Sequence, residues 1–251
     1  MKRLVVFALM LAILLAGCAS SATGDAGATL EPAGTGAPEP TRDPGAAGEA
    51  QSFARLNLVR REQTYGGGNA LIYPAVDSAE YDALNAAIFK KIVAGLGELD
   101  APAYTYFNIK CNQDGILSLL VGYYDMDTRA LCLKLPMTFD VATAKEIPLE
   151  NCFSVDDDAW RSVIPDLVRQ QAELIDMTLL SDVMPIGDGQ LYYLTGRTLV
   201  VLYRPYEITT NLAGWPEFSF QLDQLSPYLS RTAAIARLSA ARQTASEADK
   251  G

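Results

Sequence analysis

The chain has 251 residues, 20 Lys and Arg against 30 Asp and Glu, a formal charge of −10 and no histidine. Such acidity disfavours nucleic acid as a partner, because phosphates demand neutralising cations. The missing histidine removes Ser-His-Asp and Cys-His catalysis, His-ligated metals and the commonest general base near neutral pH, and no cofactor is expected.

In chain order, Lys2 and Arg3 precede an apolar run from Leu4 to Leu15, and Leu15-Ala16-Gly17-Cys18 reads as a bacterial lipobox. The run would span about 20 Å as a helix, short of the roughly 30 Å of bilayer hydrocarbon, which suits a cleaved signal peptide over residues 1–17. Cys18 is then the lipidated (palmitate-type) first residue of a mature lipoprotein. That lipoprotein is anchored to the cell membrane and faces outward in the cell envelope. Removing residues 1–17 leaves 18 basic against 30 acidic side chains, a charge of −12. Residues 18–52 are mostly Ala, Gly, Pro, Ser and Thr with scattered acids. They cannot offset the entropy of ordering and are expected to form a disordered tether, with a reach of roughly 30 Å.

Strand-like text follows. Ala54 to Thr64 leads into the turn cluster Tyr65-Gly66-Gly67-Gly68-Asn69, then a strand from Ala70 to Val76 in which Pro74 implies an edge or a strand end. Asp77 and Glu80 resemble a capping box, and Tyr81, Leu84, Ile88, Ile92 and Leu96 form one helical stripe ending near Gly95 or Gly97. A meander comes next: Tyr104 to Cys111, a turn over Asn112 to Gly115, Ile116 to Tyr124, a turn at Asp125-Met126-Asp127, and Thr128 to Asp140. Ala142 to Lys145 is a polar turn before Ile147 and Leu149. Asp156 to Asp158 would start a helix bearing Trp160, Val163, Ile164, Leu167, Val168, Gln171, Leu174 and Ile175, in which Pro165 marks a kink or restart. Leu191 to Leu194 and Leu199 to Tyr203 form a hairpin, and Ser226-Pro227 opens a last helix to about Arg242.

Several residues invite chemical readings. Cys111, Cys132 and Cys152 are an odd set: one disulfide plus a free thiol, or three small buried hydrophobes. Asp125 and Asp127 offer hard oxygens for calcium or simply form a turn, and Asp156 to Asp158 cap a helix more readily than they bind metal. No metal site is expected. Gly66 to Gly68 lacks the Lys-Ser/Thr of a phosphate loop. Tyr104, Tyr106, Tyr123, Tyr124, Tyr192, Tyr193, Tyr203 and Tyr206 sit on or beside predicted strands, as ordinary sheet residues or as a binding surface. Each adjacent pair must split between opposite sheet faces.

The chain from about residue 55 to 230 resembles the extracytoplasmic domains of RsiV-like anti-sigma factors and PdaC-like envelope proteins, a shared domain of unknown function. Tyr73-Pro74 and Asn85 fit its first part. Gly115 to Leu119, Thr138-Phe139-Asp140 with Thr143-Ala144-Lys145, Leu149 and Phe153 fit its second, and Tyr203 to Ile208 with Gly214 and Phe218 fit its final strand and exit. The chain departs from the family at Tyr124 to Ala130, where the family often has Gly-Gly-Ala-His, and at Ala144, which replaces a turn glycine.

The resemblance implies an α+β fold, an antiparallel sheet with helices packed on one face, in two small joined subdomains. These are a PdaC-like subdomain over 53–102 and an RsiV-like one over 103–243, with a disordered tail at 244–251. Some relatives bind lysozyme and signal through a transmembrane helix and cytoplasmic domain not found in this chain. Others precede a deacetylase whose metal site needs two histidines, and that activity is excluded. The expectation is a non-enzymatic, lipid-anchored envelope protein whose domain binds a lysozyme-like protein or cell-wall glycan (peptidoglycan). Its rivals are a histidine-independent hydrolase of envelope polymers and an accessory subunit of an envelope complex.

Overall fold

The computed structural model describes residues 54–154, 158–180, 182–210 and 214–238. Cys18, the tether up to residue 52, Asp156 and Asp157, the end of the last expected helix and the tail at 244–251 lie outside the described residues. The fold is α+β. Six strands, β1 (Leu58–Tyr65), β2 (Asn69–Val76), β3 (Ala103–Gln113), β4 (Ile116–Asp125), β5 (Leu131–Asp140) and β6 (Lys145–Glu146), lie side by side in chain order. All neighbours are antiparallel except β2 and β3. A second sheet holds β7 (Tyr192–Leu194), β8 (Thr198–Leu202) and β9 (Glu217–Gln221). Among the described residues the α-helices are α1 (Asp82–Leu96), α2 (Trp160–Leu174) and the single turn α3 (Leu222–Leu225), and residues 235–238 are helical again.

The meander forms where its turn chemistry allows. Asp114 and Gly115 both have positive φ, +52° and +71°, as a two-residue hairpin turn with the twist of its strands requires. Strand β4 is buried on both faces. Leu117, Leu119, Val121 and Tyr123 pack with Leu84, Ile88 and Ile92 of α1, one stripe at helical spacing. Ile116 and Leu120 point the other way, toward the second sheet. Near the end of α1, Tyr123 donates its hydroxyl to Ile92 O at 2.7 Å. A Cβ at Gly95 would lie 2.4 Å from that hydroxyl oxygen, so only glycine fits there.

Strands β2 and β3 share a single backbone bridge, at Ala70 and Tyr104, and side chains join the rest of the seam. Thr105 Oγ1 accepts the Ile72 N–H (2.7 Å) and donates to Ile72 O (2.9 Å). Asn85 of α1 does the same for Val76, accepting its N–H at 2.8 Å and donating to its carbonyl at 2.9 Å. The backbone polar groups of Ile72 and Val76 are directed away from β1, and by strand alternation so is the backbone edge at Pro74. Pro74 thus stands where the strand has no neighbour and has no N–H to satisfy. Asn112 pairs likewise with the backbone of Leu56, and Asn69 Oδ1 accepts the Ala103 N–H. The Tyr-Pro and Asn pattern is therefore a hydrogen-bonding device.

The second sheet separates two cores. Tyr192, Leu194, Leu199, Val201, Phe218 and Phe220 face α2 and α3, while Tyr193, Val200 and Leu202 meet Leu120 of β4. Helix α2 runs unbroken through Pro165, without a restart. The carbonyl of Arg161, four residues earlier, accepts the N–H of Ile186 at 2.9 Å instead. Arg237 ties the C-terminal segment to the meander through Asp140 (2.9 Å).

Several expectations differ from what forms. Asp77 caps nothing: it bonds Arg61 at 3.0 Å, and Ser78 precedes a short 3-10 turn over Ala79–Tyr81. Leu174 and Ile175, expected on the buried stripe, are exposed, and Ala172 is the last residue of α2 to enter the core. Residues Tyr203 to Ile208 turn rather than extend, and the last strand is Glu217–Gln221. Ser226 closes α3, its hydroxyl on Asp223 O, rather than opening a helix.

Candidate functional site

The cross-strand register sets out one face of the large sheet in rows. Tyr104, Tyr124 and Leu131 form one row, Tyr106, Gly122 and Lys134 the next, and Asn108, Leu120 and Pro136 the third. This is the face away from α1. The second sheet covers it from Leu120 of the third row onward, while Asn108 in that row stays exposed: Tyr193, Val200 and Leu202 pack on Leu120, and the Leu194 N–H donates to Ser118 Oγ at 3.0 Å. The first two rows stay open. Tyr106 is 51% exposed.

The open half is organised around two tyrosines. Tyr104 and Tyr124 stack with ring centres 5.2 Å apart and planes 17° from parallel. Tyr124 leans along its own strand over Gly122, where a Cβ would come within 2.9 Å of its ring. A bare backbone position thus seats the ring. Arg129, at a positive φ of +63°, places its guanidinium carbon 5.0 Å from the Tyr104 ring centre. Its turn is closed by Asp125 Oδ1, which accepts the N–H groups of Asp127 and Thr128 and the Thr128 hydroxyl. Those bonds, Thr128 foremost, hold the Asp125 carboxyl below its usual range. The Asp125 and Asp127 pair is therefore a turn, and among the described residues no group of three Cys, Asp or Glu could hold a metal ion.

Where the second sheet begins, the rim is charged. Lys134 Nζ lies 2.6 Å from Glu217 Oε1, and the Tyr193 hydroxyl donates to Glu217 Oε2 at 2.8 Å. Burial, then the Glu217 carboxylate, raises the Tyr193 phenol well above its ordinary value. Lys110 is the extra residue of a β-bulge between Ile109 and Cys111, and it sits 4.6 Å above the Tyr193 ring. Neither Arg129 nor Lys110 pairs with a carboxylate among the described residues.

Of the eight strand tyrosines, the structure brings Tyr104, Tyr106 and Tyr124 together. Tyr123, Tyr192, Tyr193 and Tyr203 are buried, and Tyr206 stands exposed in the turn after β8. Both adjacent pairs split between faces: Tyr123 and Tyr192 enter the two main cores, while Tyr124 and Tyr193 point the other way. Sequence reading missed Arg129, Lys110, Gly122 and the Lys134–Glu217 pair. The bulge residue and the ion pair 83 positions apart gave no local signal, although a glycine two residues before a tyrosine in an apolar strand is one.

Among the described residues the three cysteines are free, with Cys111 and Cys152 buried and Cys132 exposed. Burial pushes the Cys111 thiol up to about 11 and the Cys152 thiol up to about 12, which keeps both protonated and poor nucleophiles near neutral pH. Cys132 is the extra residue at the β4–β5 bulge and is exposed, so neither the disulfide nor the set of three buried cysteines offered by the sequence forms. A separate cleft of about 180 Å³ between β5, β6 and residues 189–192 is bordered by the Lys91–Glu146 pair, 2.9 Å apart.

No protein-family model matches this chain, and no curated protein sequence does. A DUF3298 family protein from Pseudomonas aeruginosa PAO1 is similar in structure over 70% of this chain and 95% of its own, at 11% identity and a TM-score of 0.50. A member of the same family from Bacteroides fragilis NCTC 9343 gives 12% identity, coverages of 72% and 96%, and a TM-score of 0.49. At such identity the likeness is one of fold: the structural neighbours of this chain are DUF3298 family proteins.

Proposed function

We propose that this chain is a lipid-anchored cell-envelope protein whose domain binds a partner outside the membrane and performs no chemistry on it. Three things support the reading. The lipobox ending at Cys18 supplies an anchor, and the composition of residues 19–52 suits a tether. The fold is similar to that of a DUF3298 family protein, the domain that RsiV-like and PdaC-like envelope proteins share. The observation that carries the binding reading is the stacked Tyr104–Tyr124 pair, seated on Gly122 and flanked by Arg129 and Tyr106 on an open half-face. Tyrosine and arginine recur as the anchors of binding surfaces, and a ring held before the partner arrives loses little entropy on binding.

The family resemblance brings two ligands, a lysozyme-like protein and cell-wall glycan. The soluble domain, residues 53–251, should retain a component of envelope extract, and Tyr106→Ala with Tyr124→Ala should release it. Retention untouched by those changes would place binding elsewhere. Breakdown of muropeptides by the purified domain would replace the reading with a hydrolase. Intact-mass analysis of the mature protein should show a diacyl- or triacyl-glyceryl group on Cys18, and Cys18→Ala should leave the chain unprocessed or released.

A further inference from the structure

Beside the open half-face of this acidic chain stand cations that no carboxylate among the described residues engages. The protein is at −10, yet the two cations beside this surface, Arg129 and Lys110, have no carboxylate partner among the described residues, and Glu217 is engaged by Lys134 and Tyr193. Two acids neighbour Arg129 in sequence: Asp125, with one oxygen engaged by three donors of its own turn, and the exposed Asp127. A carboxylate would find a guanidinium at one end and an ammonium at the other.

Spacing narrows the ligand further. Tyr104 and Lys110 are six residues apart on β3, roughly 20 Å at the rise of a strand. Cations that far apart match sparse anionic groups on a long polymer. They do not match duplex DNA, with its charge every ~1.7 Å. Between them lie the exposed ring of Tyr106 and the amide of Asn108, a stacking surface and a donor–acceptor pair on one strand face. A chain of pyranose rings presents apolar C–H faces to the first and hydroxyls to the second.

Building on the binding function proposed above, we infer that this face takes a polysaccharide bearing carboxylates. Sugar rings lie on Tyr106 and along the edges of the Tyr104–Tyr124 stack, and carboxylates reach Arg129 and Lys110.

Polygalacturonate and its methyl ester share one backbone and differ in the carboxylates, so they test each half of the inference. Calorimetry with residues 53–251 should show binding of the acid form, weaker binding of the ester, and loss of the difference as salt rises. Arg129→Gln and Lys110→Gln should each weaken the acid form roughly three- to tenfold, as for a partly exposed charged contact, and leave the ester unchanged. Tyr106→Ala should weaken both forms alike. All three side chains lie on the surface, so unchanged melting curves will show that the variants are folded. Equal binding of acid and ester, or cation variants that bind as the parent does, would overturn the inference. Binding of neither polymer, while capture from envelope extract still requires Tyr106, would overturn it and leave the broader binding function standing. Loss of that capture requirement as well would remove both.

Discussion

Replacing Asn85 with alanine removes the two bonds that its amide makes with Val76, at 2.8 and 2.9 Å. Val76 is 5% exposed, so its N–H and C=O would be left without partners in a place where water enters poorly. Each unsatisfied backbone group costs about 1–3 kcal/mol, and alanine regains roughly 0.5 kcal/mol of helix propensity over asparagine. The net loss is about 2–4 kcal/mol, allowing for some water at the half-buried amide. Asn85→Asp keeps the acceptor for the Val76 N–H but sets a carboxylate against the Val76 carbonyl, so it should lie near the upper end. Urea unfolding of residues 53–251 gives the stability, and hydrogen exchange at the Val76 amide reports the bond itself. A loss below about 0.5 kcal/mol with the Val76 amide still protected would refute the reasoning, since it would show that another group already serves that strand end.

Gly95→Ala should destabilise by about 1–3 kcal/mol, against the gain of roughly 1 kcal/mol usual inside a helix, because the new methyl meets the Tyr123 ring; thermal melting gives the sign. Ala144→Gly should stabilise by up to about 1 kcal/mol, since Ala144 holds a φ of +54° that glycine adopts freely; the urea midpoint reads it. In the native domain a thiol reagent should label Cys132 alone, with Cys111 and Cys152 reacting only on unfolding; early modification of either would contradict the packing. Both buried thiols titrate higher folded than their ordinary value of 9.0, so their contribution to stability is complete below about pH 9. It declines from about pH 9 and is lost once pH has risen through about 11 and 12, and unfolding at graded pH will show whether the decline starts near 9.

The hairpins and both long helices were legible because their signals are local: Asp114-Gly115 between apolar runs, and Leu84, Ile88 and Ile92 at helical spacing. Misreadings arose where a polar side chain had several local uses. Asp77 could cap a helix or meet Arg61 across the hairpin, and Ser226 could begin one helix or finish another. Strand β9 alternates plainly, with Phe218 and Phe220 buried between exposed neighbours, but the family resemblance set the final strand upstream, at Tyr203 to Ile208. Of the candidate site, the tyrosines were visible and their sidedness followed from alternation. What turns Lys110 toward Tyr193 is a bulge, and what brings Glu217 to Lys134 is the docking of one sheet on another. Neither leaves a periodic trace.

Pro165 acts on the segment after α2 by what it lacks. An ordinary residue there would send its N–H to the Arg161 carbonyl, and the returning chain at Ile186 would have to share that acceptor. The proline leaves the acceptor vacant, and the same arginine adds a second link by donating from its guanidinium to Ile186 O. One residue thereby accepts from and donates to the backbone of Ile186, as a neighbouring strand would. Pro165→Ala would set two donors competing for one carbonyl. The helix would gain a rung while the returning segment loosened, so a change that strengthens α2 in isolation would shorten the exchange lifetime of the Ile186 amide.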